Sequence, residues 1–121
     1  MINSENIIIK LTLEFALRII SYCETLDGLK KLKISEQLIK SGTSIGANSN
    51  EAQNSESTAD FIHKFKIAAK EANETEYWLN LCQFSKSLPD CTDLINDLAQ
   101  IQRIINQIIT TTKNKSKAYA N

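Results

Sequence analysis

The sequence predicts an all-α protein, an up-down-up-down antiparallel four-helix bundle. Apolar residues recur every three or four positions along most of the 121 residues, which is the spacing of one helical face. Only three Gly and one Pro occur, and both residue types weaken helix interiors. The breaks between the periodic segments are short, and short connections favour antiparallel neighbours.

The first predicted helix spans about residues 3–26. Asp27 and Gly28 follow it, and we expect Gly28 to adopt the left-handed conformation that commonly ends a helix. The predicted core face steps by three and four, as one side of a helix requires, and comprises Ile8, Leu11, Phe15, Ile19, Tyr22 and Leu26.

The second predicted helix spans about residues 31–52 and carries unusually small side chains. Gly42 and Gly46 each cost about 1 kcal/mol relative to Ala in a helix interior. We interpret them as points where a neighbouring helix approaches closely. The alternative is a helix that breaks here, with the glycines lining a site. The predicted core face comprises Leu38, Gly42, Ile45, Ser49 and Ala52.

The third predicted helix runs from about residue 58 to residue 85. Ser57 or Thr58 can cap it, and Asp60 suits its positive N-terminal end. Pro89 lies soon after its end, where it cannot extend the helix. The predicted core face comprises Phe61, Phe65, Ala68, Ala72, Thr75, Leu79 and Cys82, with a second apolar edge at Ile67, Trp78 and Leu81.

The fourth predicted helix spans about residues 92–112. We expect the bundle to occupy residues 1–112 and the polar residues 113–121 to fray. The apolar surface of the third and fourth helices is wider than one bundle core requires, which predicts a homo-oligomer. The core face of the fourth helix comprises Leu94, Leu98, Ile101, Ile105 and Ile108, flanked by Ile95, Ile104 and Ile109.

Charge and cysteine usage narrow the classes of protein. The 14 basic residues balance the 14 acidic ones, so the total charge does not indicate nucleic-acid binding. Cys23, Cys82 and Cys91 match no zinc-binding spacing, and we expect buried thiols in a reducing compartment. We find no leader pattern and no apolar run of the ~20 residues that span a bilayer. These features predict a cytoplasmic protein without membrane contact.

The sequence predicts no catalytic, cofactor-binding or metal-binding residues. A di-iron bundle needs Glu-x-x-His pairs on two helices, and the single histidine, His63, has no Glu three residues before it. Cys82 lies nineteen residues beyond His63 on the same predicted helix, about 28 Å away at helical rise. That distance excludes Cys82 as a nucleophile activated by His63, and Cys23 is excluded because it should lie at the opposite end of the bundle from His63.

Two acidic residues of the third helix have a second interpretation. Glu71 and Glu74 share a helical face with Trp78, so a carboxylate can be partly buried there. Ion pairing is the simpler interpretation, with three candidate partners: Arg18, Arg103 and Lys70. The alternative is an acid–base pair in an enzyme, which requires an open polar pocket beside Trp78.

Six lysines share one end of the predicted bundle with five acidic residues, which leaves a surplus of one positive charge there, and the clearest basic patch is the segment 113–117. Three of the lysines at that end lie in this segment, and Lys70 of the third helix is added to the candidates. The candidates are predicted phosphate contacts to RNA, with a simple solvated tail as the alternative for the last three. The candidate nucleic-acid contacts are Lys64, Lys66, Lys70, Lys113, Lys115 and Lys117.

Four sequence blocks together resemble one known family. They are Ser-Ile-Gly-Ala-Asn at 44–48, Glu-Ala at 51–52, Asp-Phe-Ile-His-Lys at 60–64, and Lys-Glu-Ala-Asn-Glu-Thr-Glu-Tyr-Trp-Leu at 70–79. This combination resembles the four-helix-bundle proteins encoded by intervening sequences of bacterial 23S ribosomal RNA genes. The resemblance covers about residues 15–108.

The resemblance implies a left-handed bundle that assembles into a ring, typically a pentamer, in a family with no established enzymatic activity. A related accessory variability protein of diversity-generating retroelements is a basic pentamer that engages RNA and a reverse transcriptase. The matching motif residues look structural in the family, and they are Gly46, Asn48, Glu51, Glu71, Glu74 and Trp78.

We therefore expect a non-enzymatic, ring-forming interaction protein that associates with RNA, a ribonucleoprotein or the ribosome. The alternative is a protein-binding scaffold with no affinity for nucleic acid. Salt-dependent RNA binding distinguishes the two.

Overall fold

A computed structural model of the chain describes residues 4–120, and these residues form four α-helices without a strand. The helices are α1 (Ser4–Gly28), α2 (Leu32–Ala52), α3 (Thr58–Phe84) and α4 (Thr92–Ala120). The all-α prediction is confirmed, and three of the four helices begin and end within two residues of the predicted positions.

The helices surround one core. Each helix packs against the next one in the chain, and α1 also packs against α4. Contacts between α2 and α3 show their opposite directions, because Ser41 meets Thr75 whereas the later Glu51 meets the earlier Lys64. The antiparallel four-helix bundle is confirmed.

The core consists of the faces that periodicity predicted. Every predicted core residue of α2 and α4 is buried, as are all those of α3 except the half-buried Phe61. On α1, Leu11 and Tyr22 are only half-buried, while Thr12 and Cys23 are buried. The buried face of α1 is thus turned towards α2, which accepts Thr12 because Gly46 lies opposite it.

The two glycines of α2 mark a close approach by α1. A Cβ atom at Gly42 would lie 3.0 Å from Cγ1 and Cγ2 of Ile19, and one at Gly46 would lie 3.2 Å from Cβ and Oγ1 of Thr12. The helix continues unbroken through both positions. Close packing is therefore confirmed, and the alternative of a broken helix is wrong.

The end of α1 differs from the prediction. No described glycine has a positive φ, and the left-handed residue is Lys30, at φ 62°. The N–H of Lys31 bonds the carbonyl of Leu26, and the N–H of Lys30 bonds that of Asp27, both at 2.9 Å. This bond pair is the Schellman motif, in which the left-handed residue lies four positions after the first bonded carbonyl, here Leu26, and therefore at position 30 rather than at Gly28.

The start of α3 follows the prediction. Ser57 is the N-cap, and its hydroxyl oxygen accepts a hydrogen bond from the N–H of Asp60 at 3.0 Å. This bond satisfies one of the N–H groups that a helix leaves free at its start.

The sequence predicted that the fourth helix ends near Thr112, whereas α4 continues to Ala120. The sequence of this segment contains neither Gly nor Pro, and the Thr112 hydroxyl bonds the Ile108 carbonyl within the helix at 2.7 Å. Lys117 lies in the last turn, where positive charge favours the negative end of the helix dipole. A polar composition alone therefore did not end the helix.

The exposed apolar surface also differs from the prediction. Among the side chains that the structure describes, α4 contributes no large exposed apolar residue, because neighbouring helices half-cover Ile95, Ile104 and Ile109. The large exposed apolar residues are Ile7, Leu13, Leu17, Ile20, Leu29, Leu32, Ile39, Tyr77, Leu81 and Phe84. We call Leu13, Leu17 and Ile20 the α1 strip, since they share one outward side of α1.

None of the helices, within residues 4–120, combines the length and the apolar character that a bilayer crossing requires.

Candidate functional site

Three of the predicted lysines come together where α3 meets the end of α4. Lys66 of α3 lies beside Lys113 of α4, and Lys117 follows one turn later. The repulsion from Lys66, with a smaller one from Lys117, lowers the pKa of Lys113 below its ordinary value. We call these residues the lysine cluster, a place where positive charge is locally concentrated.

The other three predicted lysines lie elsewhere. Nζ of Lys64 is 3.3 Å from Oε2 of Glu51, so this lysine pairs across to α2. Lys115 is exposed and lies two residues from both α4 members of the cluster, which puts it on another side of the helix. Lys70 is exposed and lies one turn after Lys66 on α3.

A shallow groove lies between α3 and α4. Its residues follow Lys66 along α3 and precede Lys113 along α4, so the groove adjoins the lysine cluster. A pocket of about 240 Å³ in this groove is lined by Ala69, Asn73, Gln102 and Asn106. Nε2 of Gln102 donates to Oδ1 of Asn73 at 3.2 Å and to Oε1 of Glu76 at 3.1 Å. The groove therefore offers several side-chain amides.

An exposed aromatic residue follows the groove residues along α3. Tyr77 lies one turn after Asn73 and is 58% exposed. Its ring meets that of Trp78 at a centroid distance of 5.2 Å and an angle of 71°. Trp78 is half-buried and packs against the core, so it supports the exposed ring from one side.

The residues of the family motif make contacts within the bundle. Nδ2 of Asn48 donates to the Ser44 carbonyl at 2.8 Å, and Glu51 pairs with Lys64. Gly46 accommodates Thr12. The structural role assigned to the motif stays a prediction.

The acidic pair of α3 is split between two environments. Glu71 is half-buried, whereas Glu74 is exposed. Burial and the neighbouring Glu74 raise the pKa of the Glu71 carboxyl, while Lys40 and Lys70 oppose this shift. Arg18 pairs with Asp97 of α4 instead. Of the three basic partners considered, only Lys70 therefore lies near this carboxyl.

A crevice of about 180 Å³ lies between α1 and α4. Leu11, Phe15 and Ile101 form its apolar part, and the Arg18–Asp97 ion pair bridges the two helices beside them. This α1–α4 crevice is a gap in the wall of the bundle rather than an open cleft with several convergent polar groups.

The three cysteines are free and buried, as predicted. Burial raises the pKa of Cys23 and Cys82 and brings that of Cys91 to about 11. The Cys91 thiol donates to the Leu79 carbonyl at 3.3 Å. Thiols held in the protonated form are poor nucleophiles. Within the described residues, no group of three His, Cys, Asp or Glu side chains is placed to hold a metal ion.

The groove was not anticipated from the sequence. Lys66, Lys70, Asn73 and Tyr77 follow one another by three and four residues, which marks one helix face and could have been noticed. The α4 side of the groove could not have been recognised from the sequence, because its alignment with α3 depends on how the two helices pack.

Comparison with known proteins decides the family. The profile of the family described as 23S rRNA-intervening sequence protein matches residues 4–107. The chain belongs to this family. The resemblance recognised in the motif blocks is thereby confirmed. Lys66 and the groove amides lie within the matched residues, whereas Lys113 and Lys117 lie beyond them.

A solved structure that is similar to this chain has the same fold. The crystal structure of a protein from Bacteroides thetaiotaomicron is 40% identical, covers 89% of this chain and 99% of its own, and has a TM-score of 0.84. It is described as a protein with unknown function from the S23 ribosomal protein family. No curated protein matches the chain.

Proposed function

We propose that this intervening-sequence family member is a non-enzymatic interaction protein that assembles into a ring and binds RNA or a ribonucleoprotein. The convergence of Lys66, Lys113 and Lys117 carries the RNA part of the proposal. In a chain with zero formal net charge, this cluster concentrates the positive charge that phosphate binding requires.

The protonation states of the buried groups support a role without catalysis. A Cys91 pKa of about 11 keeps this thiol protonated at neutral pH. The half-buried Glu71 has Lys40 and Lys70 as charge neighbours, which favours ion pairing over acid–base chemistry. Free, buried thiols also support a reducing compartment, and we place the protein in the cytoplasm.

The α1 strip supports assembly with identical copies. Leu13 and Leu17 are 60% and 59% exposed, and Ile20 lies on the same outward side of the helix. Contiguous exposed apolar surface often marks a site of protein–protein contact. A ring forms when one face meets a different face of the next copy and the rotation closes. From the family resemblance we expect five copies.

Light scattering on the purified chain tests the ring. We expect a mass several times that of one chain, and a Leu13→Glu/Leu17→Glu variant that is folded but smaller. A monomeric wild-type chain at every concentration would refute assembly.

A salt titration with structured RNA tests the RNA part. The variant carries Lys66→Gln, Lys113→Gln and Lys117→Gln, and the matched control carries Lys30→Gln, Lys31→Gln and Lys33→Gln at the opposite end of the bundle. Each lost phosphate contact reduces the slope of log affinity against log salt by about 0.7 on an unpaired strand and by about 0.9 on a duplex. We expect the cluster variant to bind weakly with a slope flatter by about 2, and the control to bind like the wild type.

The RNA part fails if the wild-type chain binds no RNA at low salt. An equal loss of RNA affinity in both lysine variants would also contradict it, because positive charge would then attract RNA wherever it lies on the surface.

A protein-binding scaffold is the second candidate. Phe84 is 83% exposed at the end of α3, and Leu81 lies exposed one turn before it. Calorimetry with the protein encoded next to this chain tests it. Binding by the wild type, loss of binding with Leu81→Ser/Phe84→Ser, and no RNA affinity would favour this candidate.

A further inference from the structure

Chemically different side chains follow one another along the outward side of α3. Lys66 and Lys70 come first, then Asn73, then Tyr77, all exposed and separated by three or four residues. Lys66 and Tyr77 are eleven residues apart, about 16 Å at helical rise. This order places positive charge, amides and an aromatic ring along a distance that a few nucleotides can span.

The α4 side of the groove carries the first two of these kinds of side chain, lysine and amide. Lys113 lies beside Lys66, and Gln102 and Asn106 lie across from Asn73. The facing side chains therefore match across the groove, with lysines at one end and amides in the middle. Such a match does not follow from core packing, because these residues are outside the core.

Asn73, Gln102 and Asn106 have the chemistry of base recognition. A side-chain amide carries both donors and an acceptor, as does the edge of a base. Gln102 already bonds Asn73 and Glu76, so this network orients the amides of Gln102 and Asn73 before a ligand arrives. Amides are uncharged and do not contribute to the salt-dependent part of binding.

Tyr77 provides a surface for base stacking. Exposed aromatic rings stack on unpaired bases, whereas bases in a duplex are already stacked. The contact with Trp78 limits the motion of the Tyr77 ring, and an ordered ring loses less entropy on binding.

We propose that the α3–α4 groove binds a short single-stranded RNA segment. Its phosphates contact Lys66 and Lys113, its base edges bond the amides of Asn73 and Asn106, and one base stacks on Tyr77. This inference rests on the proposed RNA binding and specifies its ligand, a single strand rather than a duplex.

Fluorescence anisotropy with labelled ten-nucleotide RNA tests the groove. The full chain is titrated with the four homopolymers and with a duplex of equal length, at two salt concentrations. Tyr77→Leu removes the aromatic ring, and Tyr77→Phe is the matched control that keeps it. Tyr77 is exposed, and circular dichroism checks that both variants fold.

We expect single strands to bind more tightly than the duplex. Tyr77→Leu should lower the affinity for single strands roughly tenfold or more with an unchanged salt slope, because stacking does not release counterions. Tyr77→Phe should bind like the wild type. Asn106→Ala should change the ranking of the homopolymers without changing the slope.

Trp78 gives a second readout, since it is the only tryptophan of the chain. A base that stacks on Tyr77 should change Trp78 emission at the same RNA concentration at which anisotropy rises. Duplex RNA should leave the emission unchanged.

The outcomes separate the two proposals. RNA binding that depends on the lysine cluster, with no effect of Tyr77→Leu, overturns the groove and leaves the proposed function intact. Equal binding of the duplex, or displacement of RNA by polyglutamate of equal charge, also overturns it. No RNA binding by the wild-type chain overturns both.

Discussion

The hydroxyls of Thr75 and Ser41 hydrogen-bond at 3.0 Å across the interface of α3 with α2, and the Thr75 hydroxyl also lies 2.8 Å from the Glu71 carbonyl of its own helix. Thr75 and Ser41 are both almost fully buried. Ser41 belongs to α2, the same helix that α1 approaches closely at Gly42 and Gly46. The side of α2 that faces α3 thus carries a directional contact, and such contacts define how two helices align better than apolar packing does.

Removing one partner of this bond should destabilise the bundle. Thr75→Val keeps the shape and removes the bond to Ser41, whose hydroxyl keeps the Leu38 carbonyl as an acceptor at 3.4 Å, so we expect a cost of about 0.5–1.5 kcal/mol. Thr75→Val/Ser41→Ala should cost less than the sum of the single changes. Urea unfolding of all four proteins measures the coupling. Additive effects would contradict the importance of the bond.

Adding a methyl group at Gly42 should be costly. The new Cβ would lie 3.0 Å from two carbons of the fully buried Ile19, and overpacking of this kind costs about 1–3 kcal/mol. Gly28→Ala is the matched control, because no atom lies within 4 Å of its new Cβ. We expect the control to gain up to about 1 kcal/mol. Equal thermal stability of the two variants would contradict the close approach.

Replacing Lys30 by glycine should stabilise the protein. Lys30 has a φ of 62°, and a left-handed conformation costs a residue with a side chain about 1 kcal/mol more than it costs glycine. Lys31→Gly is the control, since the φ of Lys31 is −93° and glycine gives no such benefit there. The midpoint of urea unfolding measures both. A Lys30→Gly protein less stable than the wild type would exclude the left-handed conformation.

The protein should lose stability in alkaline solution. Burial raises the pKa of Cys91 from 9.0 to about 11, and it raises the pKa of Cys23, Cys82 and Tyr22 as well. These groups keep their protons longer in the folded chain than in the unfolded one. Their contribution is therefore complete below about pH 9 and falls as the pH rises towards 11.

Urea unfolding at several pH values measures this loss. Cys91→Ala should lower the overall stability and also make the alkaline decline shallower. An unfolding free energy that stays constant between pH 8 and 11 would contradict the burial of these groups.

The bundle could be predicted because its core faces are encoded locally. Positions such as Leu94, Leu98 and Ile101 reveal a buried side by spacing alone. The helix ends were harder. The left-handed residue after α1 is Lys30 and not Gly28, because the bonds that close the motif depend on which carbonyls are free, not on residue preference.

The candidate site was only partly predictable. Lys66 and Lys113 were recognised as basic residues, but only packing of α3 on α4 shows that they are neighbours. The apolar surplus was predicted for α3 and α4, but large exposed apolar residues lie on α3 and α1 and not on the described part of α4, since the width of an apolar face does not show which part a neighbour covers. Leu13 and Leu17 looked ordinary in sequence, yet the structure leaves them on the outward side of α1.

The α1–α4 crevice makes the four walls of the bundle unequal. Ile19 of α1 packs directly against Gly42 of α2. Between α1 and α4, by contrast, there is a gap that the half-exposed Arg18–Asp97 ion pair spans. Local opening of the bundle should therefore begin at the α1–α4 interface, where α4 can move away from α1 while it stays packed against α3. Deuterium should reach the amides of α4 that face the gap before it reaches those of α2.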